Sequence, residues 1–224
     1  MNHPFELVSI HIPKSAGTSF RLILQSVYGD DGVRRLDINS KLGGLQIDQE
    51  KKEVSDLPKS LKVAHGHFSY RDFESVFGTP DVPVITWLRH PVERVVSQYY
   101  FLIQRFHDQV IHTNNSKGVF NRLCRDLIEF AELPGNRNLQ SKYLRDVDIN
   151  QLSFVGIVEH FDEDLKALAE QLRWGQVIGI HDNKTRNQIK KEIEQDLFNK
   201  ILNLNLEDFE LYSKALEMRN QRVS

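Results

Sequence analysis

Short apolar runs alternate along the chain with stretches whose apolar residues recur at helical spacing. Leu7 to Ile12 is a β-branched-rich run of strand length. It leads through the polar loop Pro13-Lys14-Ser15-Ala16-Gly17-Thr18-Ser19 into Phe20 to Tyr28, where Phe20, Ile23, Leu24 and Val27 share one helical face. Asp30 to Ser60 is polar, with Gly43-Gly44 and a polar run from Asp48 to Glu53, and reads as a long irregular excursion. Leu61 to Ala64 predicts a second strand ending in His65-Gly66-His67, followed by a short helix around Tyr70 to Phe77. Val82 to Leu88 predicts a third strand, ending at Arg89-His90. Pro91 suits the first position of a helix whose apolar face is Val92, Val95, Val96, Tyr99, Leu102 and Ile103. Phe106 to Lys117 reads as a second polar loop, and helical patterns resume at Val119 to Glu132 and Leu139 to Leu144. Phe154 to Val158 and Val177 to Ile180 are the fourth and fifth strand candidates, flanking a helix at Asp162 to Arg173. Two helices, Gln188 to Leu202 and Leu206 to Arg219, close the chain.

Strands that alternate with helices imply an α/β fold: three layers, with a mostly parallel central sheet covered by helices on both faces. The length of 224 residues suits one domain, 1–224, with long loops at about 30–60 and 106–118. Composition narrows the classes further. With 29 Lys+Arg against 31 Asp+Glu the net charge is -2, which argues against a dedicated nucleic-acid binder and makes any anion site local. The single Cys124 cannot form an internal disulfide. No run approaches the ~18 apolar residues of a membrane span, and the N-terminus lacks a signal-peptide pattern, so the chain reads as cytoplasmic.

In open α/β sheets ligands bind beyond the carboxyl ends of the strands. Three such ends carry polar chemistry here. In the first, Gly17 permits close backbone approach to a ligand, the following helix offers its N-terminal amides, and Lys14, Thr18 and Ser19 add a charge and two hydroxyls. The set suits a phosphate or sulfate; small polar residues that merely cap a helix are the bland alternative. It is not the nucleoside-triphosphatase loop, because the lysine precedes the glycine and the third strand ends in Arg89 where an acidic magnesium partner would stand. At that third end, Arg89 and Ser97 supply a second anion pocket, or else a surface ion pair and a helix-packing serine. Between them, His65 and His67 share a strand face and are the acid–base candidates, without the third ligand a zinc site needs.

These segments resemble the sulfotransferase superfamily, in particular its carbohydrate branch related to heparan sulfate 2-O-sulfotransferases. HIPKSAGTS at His11 to Ser19 is similar to that family's 5′-phosphosulfate loop, and TWLRHPVERVVSQYY at Thr86 to Tyr100 to its 3′-phosphate motif. HGH at His65 to His67, NRNLQSKYL at Asn136 to Leu144, FVGIVEHFDEDL at Phe154 to Leu165 and the closing NLNLEDFELY follow in the family's order. The resemblance implies a P-loop NTPase-like sulfotransferase fold. It also implies transfer of a sulfuryl group from 3′-phosphoadenosine 5′-phosphosulfate (PAPS) to an acceptor hydroxyl, with 3′-phosphoadenosine 5′-phosphate (PAP) as product. Lys14 would contact the bridging and sulfate oxygens, Ser15, Gly17, Thr18 and Ser19 the 5′-phosphate, and Arg89 and Ser97 the 3′-phosphate. His67 would be the base, His65 would orient it or the substrate, and Thr185 and Arg186 would lie in a loop closing over the nucleotide. The implied partners are PAPS and a hydroxyl acceptor, a glycan foremost; no metal, nucleic acid or membrane span is expected. A P-loop kinase-like enzyme and a non-catalytic nucleotide-binding protein on the same fold are the competing readings.

Overall fold

A computed structural model of the chain describes residues 4–39, 44–111, 126–175, 177 and 193–223. Among these residues the centre is a parallel sheet of four strands: β1 (Leu7–Ile10), β5 (Val63–Gly66), β6 (Val84–Leu88) and β7 (Phe154–Ile157), in the order β5-β1-β6-β7. Every residue of these strands is buried, as expected when both faces are covered. Successive side chains feed opposite layers. Leu7, Val63, Ile85, Trp87 and Phe154 pack with Phe20, Ile23 and Leu24 of helix α1 (Gly17–Tyr28) and with Leu165 and Leu168 of a helix at Phe161–Gln171. Val8, Ile10, Ala64, Leu88 and Ile157 face the other way, toward Phe73 and Phe77 of α2 (Tyr70–Phe77) and Tyr212 and Ala215 of the C-terminal helix. Full burial of side chains this large is worth roughly 1.5–3 kcal/mol each.

In chain order the remaining helices are α3 (Pro91–Ile111), α4 (Leu127–Glu132), α5 (Leu139–Tyr143), α6 (Phe161–Gln171), α7 (Gln195–Asn203) and α8 (Leu206–Val223). The three-layer α/β architecture is therefore as the sequence implied. Two of its details are corrected. The stretch 30–60 is not irregular: it folds into an antiparallel sheet of β2 (Leu36–Asn39), β3 (Gly44–Ile47) and β4 (Glu50–Lys51), whose Leu36, Ile38, Leu45 and Ile47 complete the core on the α2 side. The expected loop from 106 begins instead as helix, because α3 continues to Ile111; residues 112–118 lie outside the described ones. The strand expected at Val177 to Ile180 also falls largely outside them. Among the described residues no helix is long and apolar enough to cross a membrane.

Candidate active site

Strand order decides which motifs meet. Because β5, β1 and β6 are adjacent and parallel, the HGH segment, the loop from His11 and Arg89 emerge side by side at their carboxyl ends. The loop turns sharply: the Ser15 amide donates to the Ile12 carbonyl at 3.2 Å, and Lys14 and Ala16 adopt left-handed φ of 69° and 59°. Such non-glycine residues cost ~1–3 kcal/mol each and cluster at ligand sites. Helix α1 then starts with Ala16 at its cap position, with no side-chain cap and no acidic residue in its first turn. Thr18 and Ser19 thus do not serve the capping role, and the N-terminal amides keep their positive potential. Ser15 is buried and its hydroxyl has no hydrogen-bond partner among the described residues. A buried hydroxyl left unpaired is costly unless a ligand completes it.

Arg89 links the two candidate anion elements. Its Nη1 reaches the Lys14 carbonyl at 3.4 Å and its Nη2 reaches Glu93 at 3.3 Å. Burial, reinforced by the Arg89 charge, pushes the Lys14 ammonium down to about 8, and its Nζ rests 4.0 Å from the centroid of the Phe101 ring. Crowded like charges in a half-buried place favour an anion that neutralises them. Ser97 is buried on α3, two turns beyond Pro91. Thr185 and Arg186 lie outside the described residues.

The histidines form a stack. The His11 ring lies between His65 (5.3 Å, 10°) and His67 (4.3 Å, 28°). His67 Nδ1 is 2.9 Å from the His11 carbonyl, which only accepts, so Nδ1 carries the proton and Nε2 is left with a free lone pair. Burial lowers the His67 pKa, against the opposing pull of the His11 carbonyl and Asp37. His65 is enclosed more tightly. It is 2 % exposed, its Nε2 donates to the Gly17 carbonyl at 3.2 Å, and its Nδ1 accepts from Ser9 Oγ at 3.0 Å. Burial drops its pKa to about 3. Both its ring nitrogens are thus engaged, one of them on the Gly17 carbonyl of the loop. Gly17 is also explained differently: a Cβ there would sit 1.9 Å from His11 Nε2, so the glycine makes room for the stack.

Several contributors escaped the sequence reading. Asp37, on β2, accepts the His67 amide at 2.8 Å and pairs with Arg35 at 2.7 Å. Tyr143, driven up to about 12 by burial and then by Asp37, stands nearby. Arg94 is wholly buried, with its Nη2 on the Asn136 carbonyl at 2.7 Å; burial lowers it to about 10. His11 and Arg94 lie within motifs already singled out, but the partner that gives Asp37 its role comes from folding of 30–60. No group of three or more His, Cys, Asp or Glu that would hold a metal occurs among the described residues.

Known proteins give an independent view. The human heparan sulfate 2-O-sulfotransferase 1 is 36 % identical over 104 residues, 43 % of this chain, and the chain spans only 28 % of that relative's length. A protein of Archaeoglobus fulgidus is 24 % identical over 95 % of the chain and 96 % of its own. Among solved structures, mouse sulfotransferase SULT7A1 complexed with PAP aligns with a TM-score of 0.48 at 12 % identity, covering 87 % of this chain and 78 % of that one. The model of the Sulfotransferase family matches residues 1–215, and the chain belongs to that family.

Proposed function

We propose that this sulfotransferase takes its sulfuryl group from PAPS and delivers it to a hydroxyl of a carbohydrate acceptor. One observation carries the reading. At three adjacent strand ends the fold assembles an uncapped helix N-terminus with Lys14, a second cation at Arg89, and a histidine whose Nε2 keeps its lone pair and has no hydrogen-bond partner among the described residues. A bisphosphorylated nucleotide needs the first two, and an attacking hydroxyl needs the third. The heparan sulfate 2-O-sulfotransferase relatives support a sugar as acceptor.

The chemistry follows from the placement. His67 Nε2 takes the proton of the acceptor hydroxyl as its oxygen bonds to sulfur. His67 then carries a positive charge, which the nearby Asp37 carboxylate favours. The sulfur–oxygen bond to the 5′-phosphate breaks, and Lys14 together with the α1 amides stabilises the charge gathering on that phosphate. The unpaired Ser15 hydroxyl would complete its hydrogen bonding on the same phosphate. Arg89 and Ser97 would hold the 3′-phosphate, and Gly17, Thr18 and Ser19 line the 5′-phosphate loop. Nothing in this scheme assigns work to a metal, because cationic side chains occupy the positions where charge develops.

Thermal shift in the presence of a chelator tests the donor, and turnover with labelled PAPS across sugar, lipid-alcohol and tyrosyl acceptors tests the acceptor. PAP should stabilise the protein without metal, and label should pass to a glycan. Stabilisation by magnesium–ATP but not by PAP would overturn the reading in favour of a kinase-like enzyme.

A further inference from the structure

Arg89 is held from behind by a side chain whose position in the sequence gives no hint of it. Gln140, on α5, is wholly buried. Its Oε1 accepts from the Arg89 amide at 2.9 Å and its Nε2 donates to the Arg89 carbonyl at 2.9 Å. The two bonds match one orientation of the amide only; flipping it would put donor against donor. Gln140 thereby completes the strand edge just past Leu88, doing with one side chain what a neighbouring strand would do with its backbone.

Gln140 is itself fixed. The amides of Gln140 and Ser141 donate to the two carboxylate oxygens of Asp208 at 3.1 and 2.7 Å, and Asp208, on α8, is wholly buried. Asn138 and Asn205 close the network: the Asn138 amide donates to Asn205 Oδ1 at 3.0 Å, and Asn205 Nδ2 donates to the Ile201 carbonyl at 2.9 Å. These backbone and side-chain groups are paired with one another, which makes the arrangement rigid, because a shift would strand a polar group away from water.

We propose that Gln140, anchored by Asp208, is a specificity-positioning residue that sets the Arg89 peptide, and so aims the guanidinium at the 3′-phosphate. This rests on the PAPS reading above, which assigns Arg89 to that phosphate. Selectivity for a 3′-phosphorylated nucleotide over a plain 5′-nucleotide then depends on a residue that never touches the ligand.

The experiment measures affinities for PAP and AMP in the wild type, Gln140→Leu, Arg89→Ala and the double variant. A wild type that does not prefer PAP to AMP means the PAPS reading itself fails. If the preference is present, Gln140→Leu should reduce it about ten-fold while leaving AMP binding nearly unchanged. In the Arg89→Ala background the same change should alter the ratio no further, since its route of action is gone. A purely structural Gln140 would weaken both nucleotides alike and do so in both backgrounds. A folded Gln140→Leu protein with the wild-type ratio overturns the inference. Should that variant not fold, the isosteric Gln140→Glu, which keeps one of the two bonds, carries the same test: the ratio falls or the inference fails.

Discussion

In the proposed mechanism His67 works as the base only while its Nε2 is unprotonated, and burial, which holds its pKa below the ordinary 6.5, keeps it in that form through the neutral range. The same proposal asks the opposite of Lys14, which has to stay charged, and burial beside Arg89 brings its pKa down to about 8. The signs follow directly. As pH falls through the lowered His67 pKa, beneath the ordinary histidine range, the ring gains a proton and kcat should decline on an acid limb. As pH rises through about 8, Lys14 of the free enzyme loses its proton and kcat/KM for the donor should decline on an alkaline limb. His67→Ala should lower turnover by roughly 10²–10⁴-fold, leave PAP affinity nearly unchanged and abolish the acid limb; a stable His67→Ala protein with normal turnover would remove histidine from the mechanism. Lys14→Arg should abolish the alkaline limb, because a guanidinium stays charged there; a limb that persists near pH 8 would assign it to another group. Lys14, Arg89 and His67 stand out as candidates because each lies in a segment that follows the carboxyl end of a strand, where an α/β sheet binds its ligands. The difference between His65 and His67 is not legible in the sequence, because two neighbouring histidines look alike until folding buries one of them.

A two-residue difference in register would have been enough to place Asp37 elsewhere, so the small sheet of β2, β3 and β4 matters to the chemistry as well as to the core. It joins the main sheet where the Ile38 amide donates to the His67 carbonyl at 3.2 Å, and where Arg35 bridges to His65. The junction tolerates no side chain at Gly66: a Cβ there would lie 1.8 Å from the Leu36 carbonyl oxygen and 3.0 Å from Asp37 Oδ1. Backbone on backbone cannot yield as a flexible side chain does. Gly66→Ala should therefore cost ~1–3 kcal/mol or more in urea unfolding and lower kcat further than destabilisation explains, by moving Asp37 off the His67 amide. An unchanged urea midpoint and kcat would show that β2 moves freely. This sheet was the least legible element. Its strands have four, four and two residues, and their polar positions outnumber the apolar ones. Leu36/Ile38 and Leu45/Ile47 do alternate at the period of a strand, and that was the available signal. The helix from Pro91 and the strands at β1, β5, β6 and β7 were legible because long apolar patterns and β-branched runs leave few alternatives.

Across the whole molecule, the last of the described helices braces the carboxyl ends of β6 and β7. Besides holding Gln140 through Asp208, α8 places the Tyr212 hydroxyl on Glu159 at 3.1 Å, and the other oxygen of Glu159 accepts from the His90 amide at 2.9 Å. Further along, Arg219 Nε donates to Asp164 at 2.9 Å, Arg222 reaches the same carboxylate at 3.3 Å, and the second Asp164 oxygen accepts the Ile157 amide at 2.7 Å. The Asp164 and Arg219 side chains are 1 % and 7 % exposed, which makes this a buried pair in which the desolvation of both charges is already sunk. The pair adds little relative to an apolar contact, but removing one partner leaves the other charged and without water. Asp164→Ala should accordingly cost about 3–5 kcal/mol, because Arg219 keeps only Glu163, which is exposed, and the Ile157 amide loses its acceptor. Adding Arg219→Ala should cost less than its single effect, since it removes the stranded charge. Because α8 serves the core and the strand ends at once, urea transitions followed by circular dichroism and by PAP binding should coincide in each variant. Loss of PAP binding well before the fold melts would show instead that the site opens on its own, with α8 still seated.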